Sequence, residues 1–222
     1  MRTHTREFQQ NLTPQQAFEV LKDGNKRFIN NLKVNRDLLR QMDETAAGQY
    51  PFAAVLSCMD SRTSVELIFD QGIGDIFSVR IAGNVVNNDI IGSMEYACAV
   101  AGSKLLVVLG HTRCGAVKGA CDDVRLGNLT NLLEKIGPSI EKTKAARNTI
   151  SKEEYVEVVS QANVLNSMDE IMAQSSILRN LFNEGKIGIV GAVYSVENGR
   201  VHFVRSEFAD VKTKDKETAE AV

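Results

Sequence analysis

Two short apolar runs, each stopping in metal-type ligands, constrain this chain more than any other feature. After Lys104 come Leu105-Leu106-Val107-Val108-Leu109, without polar alternation, then Gly110, His111 and, three residues on, Cys114. A run apolar at every position reads as a strand buried on both faces, as in parallel sheets. Upstream, residues 52–57 form a second run that stops in Cys58-Met59-Asp60-Ser61-Arg62. Ligands of open α/β sheets bind beyond the carboxyl ends of the strands, where strand order reverses. Two strands ending this way predict one shared site.

The remaining pattern supplies the scaffold. Thr13-Pro14-Gln15-Gln16 is a helix start, with a Thr cap, Pro at the first helical position and Gln three residues after the cap. A second helix is expected over residues 36–47. Strand 52–57 leads into a short helix ending near Asp70, and Gly72 and Gly74 turn the chain into a strand over residues 75–80. A helix over 89–101 follows, with Ile90, Met94, Ala97, Cys98 and Ala101 on one face. The order β-α-β-α-β predicts right-handed crossovers and a parallel sheet. A helix over 115–121 comes next, then a long helical region broken at Pro138 and restarted by the capping box Ser151-Lys152-Glu153-Glu154. Gly185 ends it. A strand over 187–193 returns through Glu197-Asn198-Gly199, read as a two-residue hairpin, into an antiparallel strand over 200–204. Neither repeat nor linker divides the chain, so residues 1–222 read as a single domain, with 1–12 and 210–222 as frayed tails.

Bulk properties exclude several classes of function. A net charge of −2 gives no electrostatic reason for a nucleic acid or an anionic membrane as partner. No apolar run approaches the roughly 20 residues that span a bilayer, and Met1 to Gln10 lack the apolar core of a signal peptide. Four cysteines in 222 residues do not make a disulfide scaffold. The expectation is a cytoplasmic enzyme with reduced thiols.

Cys58, His111 and Cys114 offer two thiolates and one imidazole, a donor set suited to Zn2+. Three protein ligands leave a fourth tetrahedral position for water, the mark of a catalytic site. Asp60 could fill that position in a closed state. Arg62 argues against permanent ligation, because its guanidinium can hold the carboxylate in a bidentate pair. Taken singly these residues have blander readings: a buried apolar thiol, a structural histidine, a surface ion pair. Their combination at two strand ends favours the metal site. Cys98 reads as core, and Cys121 as a core or surface thiol.

Cys58-Met59-Asp60-Ser61-Arg62, Glu95-Tyr96-Ala97 and Gly110-His111-Thr112-Arg113-Cys114-Gly115 together resemble the β-class carbonic anhydrases. The resemblance runs from about residue 14 to residue 204 and takes in Gly191-Ala192-Val193-Tyr194. It implies a zinc lyase that interconverts CO2 and bicarbonate by attack of zinc-bound hydroxide, with Cys58, His111 and Cys114 as ligands and Asp60 and Arg62 as the catalytic pair that orients the hydroxide. It implies a four-stranded parallel sheet with an antiparallel fifth strand, flanked by helices. It also implies a homodimer or homotetramer, in which N-terminal helices embrace the partner subunit and the active site lies at the interface. By offset, Gln49, Phe77 and Tyr96 resemble substrate-pocket residues; Phe77 and Tyr96 read equally well as core packing.

The chain departs from the family pattern in places. A subgroup binds regulatory bicarbonate with a tryptophan where this chain has Val55, and no Trp occurs anywhere. Arg80 and Tyr194 match the rest of that site, which is thus incomplete, and the open form with Asp60 paired to Arg62 is expected. Ile81 stands where the family usually has Asn. No histidine proton shuttle presents itself, which leaves Tyr96, water or buffer. The rival readings are CS2 or COS hydrolysis on the same zinc site and a non-catalytic zinc scaffold closed by Asp60. A thiol redox role lacks a C-x-x-C pair.

Overall fold

A computed structural model describes residues 3–209. Helices α1 (Arg6–Asn11), α2 (Pro14–Ile29) and α3 (Leu38–Thr45) precede strand β1 (Ala53–Ser57). Helix α4 (Val65–Ile68), β2 (Ile76–Arg80) and α5 (Asn88–Glu95) follow, α5 running into a π-helical turn at Tyr96–Val100. After β3 (Leu105–His111) come α6 (Gly115–Cys121), α7 (Gly127–Glu134), α8 (Gly137–Thr143), α9 (Lys152–Gln174) and α10 (Ser176–Asn183). Strands β4 (Gly188–Tyr194) and β5 (Val201–Phe208) complete the order.

The described residues form one five-stranded sheet in the order β2-β1-β3-β4-β5. The first four strands are parallel and β5 is antiparallel to β4, with a bulge at Gly191/Ala192. Every residue of β1 and β3 is buried, as their unbroken apolar runs predict. Alternate side chains point to opposite faces of a strand. Ala54, Leu56, Leu106 and Val108 accordingly meet Ile90 and Met94 of α5 and Val164 and Met168 of α9. Ala53, Val55, Leu105 and Val107 meet Ala17 and Leu21 of α2 and Val65 of α4 on the other face. A third apolar cluster, with Val117, Leu133, Ile136 and Val159, contains Cys58 and Cys114. Among the described residues, no helix is long and apolar enough to cross a membrane.

Three expectations need correction. The β4–β5 connection is not a two-residue hairpin: Ser195 to Arg200 bridge the strands, closed by the Ser195 N–H donating to the Arg200 carbonyl at 2.8 Å. The Asn-Gly pair lies inside this wider turn, with Gly199 at φ 76° and Asn198 Oδ1 accepting from the Arg200 N–H. The return strand also runs on to Phe208, because Phe203 and Phe208 find Phe18 of α2 to pack against. Within the segment expected to fray, residues 6–11 form a helix: Thr5 caps it, and Gln9 is buried, donating to the carbonyls of Pro51 and Ala101. The tail expected to fray over 210–222 lies outside the described residues.

Candidate metal centre

Strand order reverses between β1 and β3, which lie side by side after β1 has paired with β2 on its other edge. The register Ser57↔Leu109 brings Cys58, the next residue, level with Gly110, one short of His111. After β3 the chain turns sharply through Arg113, at φ 56°, and Cys114 becomes the N-cap of α6. The two motifs thereby meet at one point. One donor atom each from Cys58, His111 and Cys114 lies within 4.8 Å of the others, and all three residues are buried.

This geometry fits a tetrahedral ion. The two sulfurs are 4.0 Å apart, and thiolates at a Zn–S length of about 2.3 Å sit roughly 3.8 Å apart. His111 Nδ1 lies 2.9 Å from the Thr112 carbonyl oxygen. A carbonyl only accepts, so in the neutral ring Nδ1 carries the proton and Nε2 the lone pair. Nε2 is buried and has no hydrogen-bond partner among the described residues. An unpartnered imidazole nitrogen facing two thiols is a donor set that a cation would satisfy.

The thiol pair is polarised. Hydrogen bonding to Cys114 pulls the Cys58 thiol down to about 4 against the cost of burial, with help from the Gly83 N–H 3.3 Å away. Cys114 is pushed up, first by Cys58 and then by burial. Asp60 stands at the rim, with Oδ2 3.9 Å from His111 Nε2. Both its oxygens are taken by Arg62: Nε donates to Oδ1 at 2.9 Å, a terminal nitrogen to Oδ2 at 2.8 Å, and the backbone N–H to Oδ1 at 2.9 Å. The Arg62 guanidinium above all holds this carboxyl well below the usual carboxylate range.

A family described as Carbonic anhydrase matches residues 53–201. Carbonic anhydrase 2 of Mycobacterium tuberculosis is 36% identical over 198 residues, covering 86% of this chain and 92% of that protein. A carbonic anhydrase of Mycolicibacterium smegmatis is 36% identical over 208 residues, 90% of this chain and 98% of its own length. A β-carbonic anhydrase structure from Sordaria macrospora aligns with a TM-score of 0.70 at 26% identity, over 75% of this chain and 87% of that one. This chain belongs to the β-class carbonic anhydrases. The family resemblance of its two ligand motifs and the expected sheet are both borne out.

In this carbonic anhydrase the expected pocket residues do not join the thiols and imidazole of their own chain. Gln49, Phe77 and Tyr96 line a separate cavity of about 560 Å³ with Arg6, Tyr50 and Lys104. Phe77 pairs with Ala54, three residues before the end of β1, roughly 10 Å down the strand at about 3.3 Å per residue. Core packing accounts for half-buried Phe77, which meets Tyr96 edge-on at 6.2 Å. It does not account for Tyr96, which is 55% exposed.

Several supports escaped the sequence reading. Arg80, matched there only to a regulatory site, donates to the carbonyls of Cys58 and Asp60 at 3.2 and 2.6 Å and so grips the first ligand loop. Thr63 Oγ1 donates within the same two-carbonyl set. Arg80 and Thr63 sit at the end of β2 and just beyond the C-x-D-x-R motif, a proximity only the sheet reveals. The turn at Ala82–Asn84 is a further support: it aims the Gly83 N–H at Cys58.

Proposed function

We propose that this protein interconverts CO2 and bicarbonate at a zinc ion held by Cys58, His111 and Cys114, with Asp60 and Arg62 as the catalytic pair. The observation that carries the reading is the convergence of two thiols and an unpartnered imidazole nitrogen beside a carboxylate already claimed by a guanidinium. Bound there, zinc would supply Lewis acidity, lowering the pKa of a water to about 7.

The protein's own groups do the rest. Thr112 fixes the His111 tautomer, and Gly83 stabilises the Cys58 thiolate. Arg62 keeps Asp60 ionised and turned to itself, which supports an open fourth position over closure by the carboxylate. As an acceptor that stays ionised, Asp60 takes a hydrogen bond from the attacking water and leaves the water's lone pair directed at the CO2 carbon. Proton release then runs through Tyr96, water or buffer.

The cavity of Gln49, Phe77 and Tyr96 enters through assembly. Among the described residues, strand β2 has a neighbour on one side only. Two copies joined along β2 about a twofold axis run antiparallel, so the amino end of one β2 meets the carboxyl end of the other. Gln49, Phe77 and Tyr96 of one copy then face the metal site of the second. Leu38, Leu39 and Met42 of α3 are exposed near this edge and suit an embrace by N-terminal helices. The Sordaria macrospora enzymes are described as tetrameric, which supports a homodimer or a homotetramer here. One functional unit spans residues 1–222, and reduced thiols suit a cytoplasmic setting.

Stopped-flow CO2 hydration before and after zinc removal tests the proposal. Activity that vanishes with a chelator and returns with about one zinc per chain is the expected result; a zinc-loaded protein inert toward CO2 would overturn it.

A further inference from the structure

The loop between His111 and Cys114 turns on Arg113, whose φ of 56° lies in the left-handed region that an L-residue with a long side chain rarely adopts. Something must hold it there. Glu157, 44 residues away on α9, accepts a hydrogen bond from the Arg113 backbone N–H through Oε1 at 2.8 Å. Its other oxygen is buried without a hydrogen-bond partner among the described residues. The Arg113 side chain is engaged elsewhere, in an ion pair with Glu197. Its carbonyl accepts from Arg62 at 3.4 Å. The backbone of one residue thus ties the two ligand loops together, and Glu157 is the group that fixes its amino side. A partly buried carboxylate with one oxygen unsatisfied is a costly way to hold an ordinary surface turn.

We infer that Glu157 is a positioning residue for the metal centre, which sets the separation of His111 and Cys114 by holding Arg113 in its left-handed conformation. This rests on the metal-site reading above. Its effect passes through the backbone, so acceptor geometry matters and charge does not. Glu157→Gln keeps an acceptor at the same reach without the charge. Glu157→Asp keeps the charge but withdraws the acceptor by about one bond length, and Glu157→Ala removes both. Arg113→Gly makes the left-handed conformation accessible without an outside hold.

The test is zinc affinity of the full chain, by competition with a chromogenic chelator, together with the visible spectrum of the cobalt(II)-loaded protein. Glu157→Ala and Glu157→Asp are expected to weaken zinc binding by about ten- to a hundred-fold and to shift the cobalt spectrum. Glu157→Gln is expected to stay within about threefold of the parent. In the Arg113→Gly background the loss on Glu157→Ala is expected to shrink to about threefold or less, with Glu197→Ala as the control for the lost ion pair. If the alanine variant does not fold, the Gln–Asp contrast carries the test. Unchanged affinity in Glu157→Asp, a loss in Glu157→Gln as large as in Glu157→Asp, or an undiminished loss in the Arg113→Gly background would each overturn the inference. A parent chain that binds no zinc would overturn the metal-site reading, and the inference with it; a zinc-binding parent with insensitive variants overturns the inference alone.

Discussion

Two buried sulfurs 4.0 Å apart cannot both ionise without a cation between them. The metal-free pair therefore shares a proton near neutrality, with the Cys58 thiol pulled down and the Cys114 thiol pushed up. Zinc needs both as thiolates, so binding should expel the Cys114 proton. Calorimetry at about pH 6, repeated in buffers of different ionisation enthalpy, should report at least about one proton released per zinc; release of none would contradict the shared thiol proton. Cys98 is the contrasting thiol, pushed up to about 12 by burial. Thiol titration of the native protein should leave it unmodified, and Cys98→Ser should keep the full zinc stoichiometry. The ligands were legible in the sequence because thiols and imidazoles announce their chemistry by residue type. The Gly83 N–H and the Thr112 carbonyl were not, since backbone groups carry no residue identity. Glu157 was hidden by the 44 residues between it and Arg113.

Among the elements, α2 tests how closely the helical layer sits on the sheet. A Cβ on Gly24 would come within 1.8 Å of the Phe69 carbonyl oxygen, a backbone atom that cannot swing away. Helix propensity alone favours Gly24→Ala by about 1 kcal/mol. The contact reverses the sign: thermal denaturation should show a loss of about 1–3 kcal/mol or more. The loop after α4 is locked by Asp70, buried between Arg27 and Arg36. Burial pushes its pKa up, but the two guanidinium groups and the Val34 N–H outweigh this and hold it below its ordinary value. The folded state therefore binds fewer protons than the unfolded chain. The stabilisation is complete above the unfolded pKa of about 4 and is lost as pH falls through the lower folded value. Urea unfolding from pH 6 down to pH 2 should show a decline that Asp70→Asn flattens, with the variant weaker by about 3 kcal/mol at pH 6. Helix starts at Thr13 and Ser151 were readable because capping is local chemistry, and both boxes form. The β4–β5 turn was misread because its closure depends on Asn25 of α2, whose side chain bonds Gly199 and Val201 across the fold.

For the whole molecule, the parallel core followed from unbroken apolar runs between helical segments, whereas the location of the pocket residues did not. Gln49, Phe77 and Tyr96 match by offset, and offset cannot tell which copy's metal a side chain serves. If the pocket belongs to the neighbouring copy's metal, two crippled chains should complement. Cys58→Ser lacks a ligand and the Gln49→Ala, Tyr96→Ala double variant lacks the pocket; mixed and reassembled, they should recover about a quarter of parental CO2 hydration, since half the dimers are mixed and each has one sound site. No recovery would place pocket and metal in the same chain. On the proposed mechanism Asp60 serves the reaction while Cys58, His111 and Cys114 hold the metal. Zinc content and stopped-flow CO2 hydration, measured on one preparation of Asp60→Asn, test it directly. About one zinc per chain with hydration lowered about a hundredfold or more is the expected result; loss of the zinc, or hydration at the parental rate, would overturn the assignment of Asp60.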